Sequence, residues 1–98
     1  MMNKTVNIAI QVLPSGGGKH PYDMVDEAIS IIKNSGFPYK VCPFETVIEA
    51  PYQDAMNLAG EVQEACYRAG AEQLMCYIKI QSSAGGRVSI DDKMHKYE

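Results

Sequence analysis

Pro38-Tyr39-Lys40-Val41-Cys42-Pro43-Phe44-Glu45-Thr46-Val47-Ile48-Glu49-Ala50 is the stretch that decides how this chain is built. Two segments suited to extended backbone, 38–42 and 44–50, stand back to back with only Pro43 between them. In the second, Glu45, Val47 and Glu49 alternate with Thr46, Ile48 and Ala50, the period of two that gives a strand two unlike faces. Proline has no N–H to offer a ladder and belongs at a corner or a bulge, so the pattern predicts two strands meeting tightly at Pro43.

On each side of this pair lies a helical pattern. Val25, Ala28, Ile29 and Ile32 recur at i, i+3, i+4 and i+7, with Asp26, Glu27, Ser30 and Lys33 turned away from them. Pro21 suits the first turn of that helix. Ser35-Gly36 stops it, glycine taking the left-handed conformation that closes many helices. After the pair, Pro51 opens a second helix with a stripe of Ala55, Ala59, Val62 and Cys66, ending at Ala69-Gly70.

Beyond the helices are two more alternating strands. Val6, Ile8, Ile10 and Val12 oppose Asn7, Ala9 and Gln11, and Pro14-Ser15-Gly16-Gly17-Gly18 ends that strand. From about Gln73 to Gln81, Leu74, Cys76, Ile78 and Ile80 oppose Met75, Tyr77 and Lys79. Residues 83–86 read as a turn, and Ser89 with Asp92 three residues on reads as the start of a short C-terminal helix.

The order strand, helix, strand, strand, helix, strand, in two similar halves, predicts an α+β, ferredoxin-like βαββαβ sandwich. In it an antiparallel four-stranded sheet carries two helices on one face, with the short C-terminal helix added. A short doubly wound α/β fold and a swapped hairpin order are the alternatives. The 98 residues fit a single domain, 1–98.

A net charge of −3 argues against nucleic acid as the main partner, since phosphate binding asks for a basic face. No apolar run approaches the roughly 20 residues of a membrane helix. Met1-Met2-Asn3-Lys4-Thr5 leads straight into a strand without the apolar core of a signal peptide, so a cytoplasmic location is expected. Cys42, Cys66 and Cys76 are odd in number and widely spaced, and read as small buried hydrophobes.

Two helices cover one face of a sheet, which leaves the other to water or to another chain. That second face should carry Asn7, Ala9, Gln11, Glu45, Val47, Glu49, Met75, Tyr77 and Lys79. It is too apolar for a wholly wet surface, and packing sheet on sheet in a symmetric oligomer would bury it. The plainer reading of Gln11, Glu45, Glu49 and Lys79 is a set of cross-strand ion pairs and hydrogen bonds, such as Lys79 with either glutamate. The functional reading is a small-ligand pocket, where apolar walls meet a few placed polar groups and the Tyr77 ring.

Other motifs carry less. Gly16-Gly17-Gly18-Lys19 lacks the spacing of a phosphate loop and reads as a flexible loop. His20 and His95 have no partners at the spacing of a metal site or a catalytic triad, and His20 reads as a solvated loop residue. Tyr22, Tyr52 and Tyr67 read as packing groups, and the methionines as core fillers.

Three segments together carry a resemblance: Ile8-Ala9-Ile10-Gln11-Val12-Leu13-Pro14, Pro43-Phe44-Glu45-Thr46-Val47-Ile48-Glu49-Ala50, and Ile78-Lys79-Ile80 followed by Ser89-Ile90-Asp91-Asp92-Lys93. The chain resembles the small thiamine-binding protein family, related to YkoF-like proteins, over nearly its whole length. The resemblance implies a ferredoxin-like protomer, pairing through sheet faces into a homodimer or homotetramer. It also implies non-catalytic binding of thiamine or a hydroxymethylpyrimidine at or near the oligomer interface. The family's Thr and Glu fall on Thr46 and Glu49. Two positions depart from the pattern: Ala50 replaces a glycine, and the turn over 81–86 lacks an arginine, which comes later as Arg87.

The expected ligand-binding residues are therefore Gln11, Glu45, Thr46, Glu49, Tyr77 and Lys79, with no cofactor and no metal. Glutamate would accept from the pyrimidine amine, Gln11 or Thr46 would complete the edge, and Tyr77 would face a thiazolium cation. Alternation sets Thr46 on the helix side, so it joins the glutamates only through a bulge and is otherwise a core hydroxyl. The alternative is a regulatory or structural homo-oligomer without a small ligand.

Overall fold

The alternating segment near the N-terminus forms β1 (Thr5–Ser15), the strand around which the sheet is laid. The computed structural model describes residues 3–97; Met1, Met2 and Glu98, at the ends of the expected domain, lie outside the described residues. After β1 come α1 (Pro21–Asn34), β2 (Tyr39–Val41), β3 (Thr46–Pro51), α2 (Tyr52–Arg68), β4 (Gln73–Gln81), the short α3 (Ile90–Met94) and one 3-10 turn, His95–Tyr97. The sheet runs β2-β3-β1-β4 with every neighbouring pair antiparallel. This is the expected ferredoxin-like arrangement.

Pro43 does sit at a tight corner. Cys42 N–H donates to the Glu45 carbonyl at 2.9 Å across the turn between β2 and β3. No bulge follows: β3 pairs with β1 without interruption from Ile10↔Thr46 to Thr5↔Pro51. β1 does not stop at Pro14 as its sequence suggests, because β4 pairs with it out to Ser15. Beyond Ile10 β1 has a neighbour on one side only, the kind of place where proline is tolerated in a sheet.

The core lies between the helices and the face carrying Val6, Ile8, Ile10, Thr46, Ile48 and Ala50. Ala55, Ala59, Val62 and Cys66 of α2 are buried as their spacing predicts, joined by Leu58 and Ala65. On α1 the buried line is Met24, Ala28 and Ile32; Val25 and Ile29 are only half-buried, so the stripe is rotated from the one predicted. Small residues on α2 let the helix approach the sheet closely, and the branched side chains of β1 and β3 fill the space between. Each large side chain buried there contributes roughly 1.5–3 kcal/mol.

Several side chains depart from expectation. Tyr22 and Tyr67 are exposed rather than packed, as is Met75. Cys66 is buried, but Cys42 and Cys76 are only partly so. His20 is the N-cap of α1, its Nδ1 accepting from Tyr22 N–H at 3.2 Å. The triple glycine is a fixed turn rather than a flexible one. Gly17 N–H donates to Glu72 Oε1 at 2.8 Å, so a carboxylate of the protein itself takes the place an anion would occupy. Gly17 has φ +74°, and a Cβ there would lie 1.9 Å from the Gly70 carbonyl oxygen.

Candidate functional site

The sheet face away from α1 and α2 is not uniformly open. Asn7 of β1 lies opposite Glu49 of β3 and Gln81 of β4, making one polar row across three strands. All three side chains hold the C-terminal segment against the face. Asn7 Nδ2 donates to the Val88 carbonyl at 3.0 Å, and Lys93 Nζ to Gln81 Oε1 at 2.8 Å. Glu49 accepts from Ile90 N–H at 2.8 Å and from Arg87 at 2.7 Å. The arginine missing from the 81–86 turn thus returns six residues after strand's end, as a clamp on Glu49, whose side chain is only 11% exposed. α3 therefore lies across this end of the sheet, on the face expected to be free. Beside it, between β2 and α3, Lys40, Glu49, Arg87, Asp91 and Asp92 line an open cleft of about 560 Å³.

Further along the face the next row is Val47, Ala9 and Lys79. Ala9 is small, and Lys79 reaches over β1 to Glu45 at 2.9 Å. Then come Gln11 opposite Tyr77, and Leu13 opposite Met75. The Tyr77 hydroxyl donates to Met75 Sδ at 3.0 Å. Leu13, Met75 and Tyr77 are exposed together and form an apolar patch at this end.

The length mismatch between β1 and β3 creates a notch. Past Ile10 the ladder to β3 ends, while β1 continues. Backbone groups of residues 11–14 that point toward the missing strand have no ladder partner there, and none makes another backbone bond among the described residues. The space beside them is a cavity of about 200 Å³, walled by Val25 and Ile29 of α1, Phe44 of the turn, and Val12 and Leu13 of β1. Gln11, Glu45 and Thr46 bring polar side chains to its lining, as does Tyr22. Thr46 is buried on the helix side, and it reaches the cavity because the notch is open to both layers of the fold.

The six expected residues thus divide. Gln11, Glu45 and Thr46 meet at the notch, and Tyr77 and Lys79 adjoin it on the open face. Glu49 does not join them; it stands at the far end of β3, under the C-terminal segment. Sequence patterns placed both glutamates on one face correctly but carried no sign of the tail that takes one of them. The missed partners are Arg87 and Asn7. A clue lay in Asn7 itself, an amide in the middle of an apolar strand that needs something to bond.

The comparisons with known proteins cover nearly the whole chain. A family model described as thiamine-binding protein matches residues 8–98. A UPF0045 protein of Clostridium perfringens is 34% identical over 93 residues, 95% of this chain and 97% of that one. Among solved structures, a Bacillus cereus domain of unknown function, DUF77, is similar with a TM-score of 0.93 and 34% identity, over 97% of this chain and 91% of that chain. A Thermotoga maritima protein whose name proposes thiamine biosynthesis or salvage has a TM-score of 0.86 at 26% identity, over 96% and 99% of the two chains. Agreement of sequence and fold from β1 through α3 leaves one assignment: this chain belongs to the thiamine-binding protein family.

Proposed function

We propose that the protein binds thiamine, or a related hydroxymethylpyrimidine, without transforming it, and that the notch beside β1 takes the pyrimidine ring. The observation that carries this is the meeting of Gln11, Glu45 and Thr46 with an unpaired strand edge inside an apolar cavity. An aminopyrimidine has an amine donor beside ring-nitrogen acceptors, the same alternation a strand edge offers in reverse. Glu45 accepts from the amine, and Gln11 or Thr46 completes the edge. A cavity of about 200 Å³ suits one ring rather than the whole vitamin, so the thiazolium lies outside it. There the Tyr77 ring and the Glu45 carboxylate face the cation. Lys79 pairs with Glu45 and yields it to the ligand. Glu49 stays with the C-terminal segment.

The absence of turnover is supported by how the carboxylates are engaged. Glu45 is paired with Lys79, and Glu49 with Arg87 and a backbone amide. The apolar patch of Leu13, Met75 and Tyr77 supports assembly into a homodimer or homotetramer through sheet faces, with the notch at its border. We place the protein in the cytoplasm; among the described residues no helix is long and apolar enough to cross a membrane.

The test is calorimetric titration and thermal shift with thiamine and with hydroxymethylpyrimidine. A ligand that binds only the folded state stabilises it by about 2.7 kcal/mol at a hundredfold excess over Kd. The pyrimidine half alone should bind, and Glu45→Gln should weaken both ligands about tenfold or more, a loss of about 1.4 kcal/mol. No heat and no shift with either ligand would overturn the reading. One observation favours a second reading, a regulatory or structural homo-oligomer with no small ligand: both glutamates already have cationic partners within the chain.

A further inference from the structure

We propose, resting on the binding reading just given, that the notch grips its ligand by the faces as well as the edge: Tyr22 and Phe44 close on a flat aromatic ring as a clamp. Phe44 is 81% exposed and Tyr22 74%, the two highest values among the exposed large hydrophobic side chains of the described residues. Both line the same cavity of about 200 Å³. They come from different elements, Tyr22 from the first turn of α1 and Phe44 from the corner between β2 and β3. Neither belongs to the core or to the half-buried side chains packed against it. Apolar side chains scattered singly over a surface need no explanation, but two bare rings on one cavity do.

Both rings are positioned before a ligand arrives. His20 Nδ1 accepts from Tyr22 N–H at 3.2 Å, and the two ring centroids lie 4.9 Å apart at 55°. The tilted contact fixes where the Tyr22 ring stands and leaves most of its surface bare. Phe44 is carried by a corner that Pro43 stiffens and that the bond from Cys42 N–H to the Glu45 carbonyl closes. A preset side chain loses less freedom on binding, so more of the contact energy remains as affinity. Aromatic rings attract one another in offset or edge-to-face arrangements with centroids about 4.5–7 Å apart, beyond what buried area alone supplies. The clamp therefore selects planar aromatic rings by their π faces, while Gln11, Glu45 and Thr46 sort them by their edges.

The test uses Phe44→Trp. The chain has no tryptophan of its own, so emission from this variant reports position 44 alone. Saturating hydroxymethylpyrimidine should quench it. Phe44→Leu and Tyr22→Leu, each still folded by circular dichroism, keep apolar bulk and lose the ring. Each should weaken hydroxymethylpyrimidine about fivefold, the size of one aromatic pair. Either leucine variant binding as tightly as the parent, or an unchanged emission at saturation, would overturn the clamp and leave the binding reading standing. A parent that binds neither thiamine nor hydroxymethylpyrimidine would end that reading instead, and nicotinamide, a flat ring with a different edge, then decides the clamp by itself. Saturable quenching of Phe44→Trp by nicotinamide that Tyr22→Leu weakens supports the clamp; absent or unaltered quenching overturns it.

Discussion

Gly17 shows how much a single position constrains the chain. Its positive φ and its contact with the Gly70 carbonyl leave no room for a side chain, and its N–H is held by Glu72. Gly17→Ala must therefore move the turn between β1 and α1 or the end of α2. We expect a loss of more than about 1 kcal/mol in denaturant unfolding, well above the small gain that glycine replacement brings at compatible sites. A variant as stable as the parent would show that the turn is not fixed there. Nothing in Gly16-Gly17-Gly18 announces this: three glycines spell flexibility until the opposing Gly70 and Glu72, more than fifty residues away, are in place.

Among the elements, the C-terminal segment departs furthest from what alternation alone implies. Its local start was legible, since Ser89 does cap α3 by accepting from Asp92 N–H at 3.3 Å. Its destination was not, because a five-residue helix has too little apolar periodicity to say which surface it covers. The docking is done by single polar groups, Asn7, Glu49 and Gln81, and periodicity is blind to those. Glu49 uses one carboxylate oxygen for Arg87 and the other for Ile90 N–H. Glu49→Gln keeps the shape but turns an NH₂ group toward one of these donors. The expected result is a local loosening of about 1–2 kcal/mol, seen as faster amide hydrogen exchange over residues 88–94 while the β1–β3 ladder is unchanged. An unaltered exchange pattern would remove Glu49 from the clamp. By contrast the two helices and β1, β3 and β4 were readable almost to their ends, because each repeats a simple period over six residues or more, while three-residue β2 was read from its place before Pro43. The notch lay between these extremes. Gln11, Glu45 and Thr46 were each picked out, but their meeting depends on where one ladder stops, which no single strand's pattern records.

For the whole molecule, stability should depend on pH at the alkaline end. Burial pushes the Cys66 thiol above its ordinary value of 9.0, with the neighbouring Cys76 adding to the effect, and burial also raises Cys76. The folded state then keeps protons that the unfolded chain releases. Stability is full below the unfolded thiol value and falls as pH rises through 9.0 toward the raised folded values. Cys66→Ala should flatten that decline in denaturant titrations between neutral and alkaline pH, although it creates a small cavity at every pH. An equally steep decline in the variant would assign the effect to other groups.

The tail that crosses the Asn7 row has a consequence for anything flat that approaches this side of the sheet. A helix laid on strands makes a step roughly 10 Å high. A second sheet cannot rest across the step and must slide toward the Leu13 end. If the approaching sheet belongs to a two-fold-related copy, it carries a step of its own, and symmetry places that step at the opposite margin. The two tails would then bracket the contact like the raised ends of a tray, limiting how far either copy can slip along the strands.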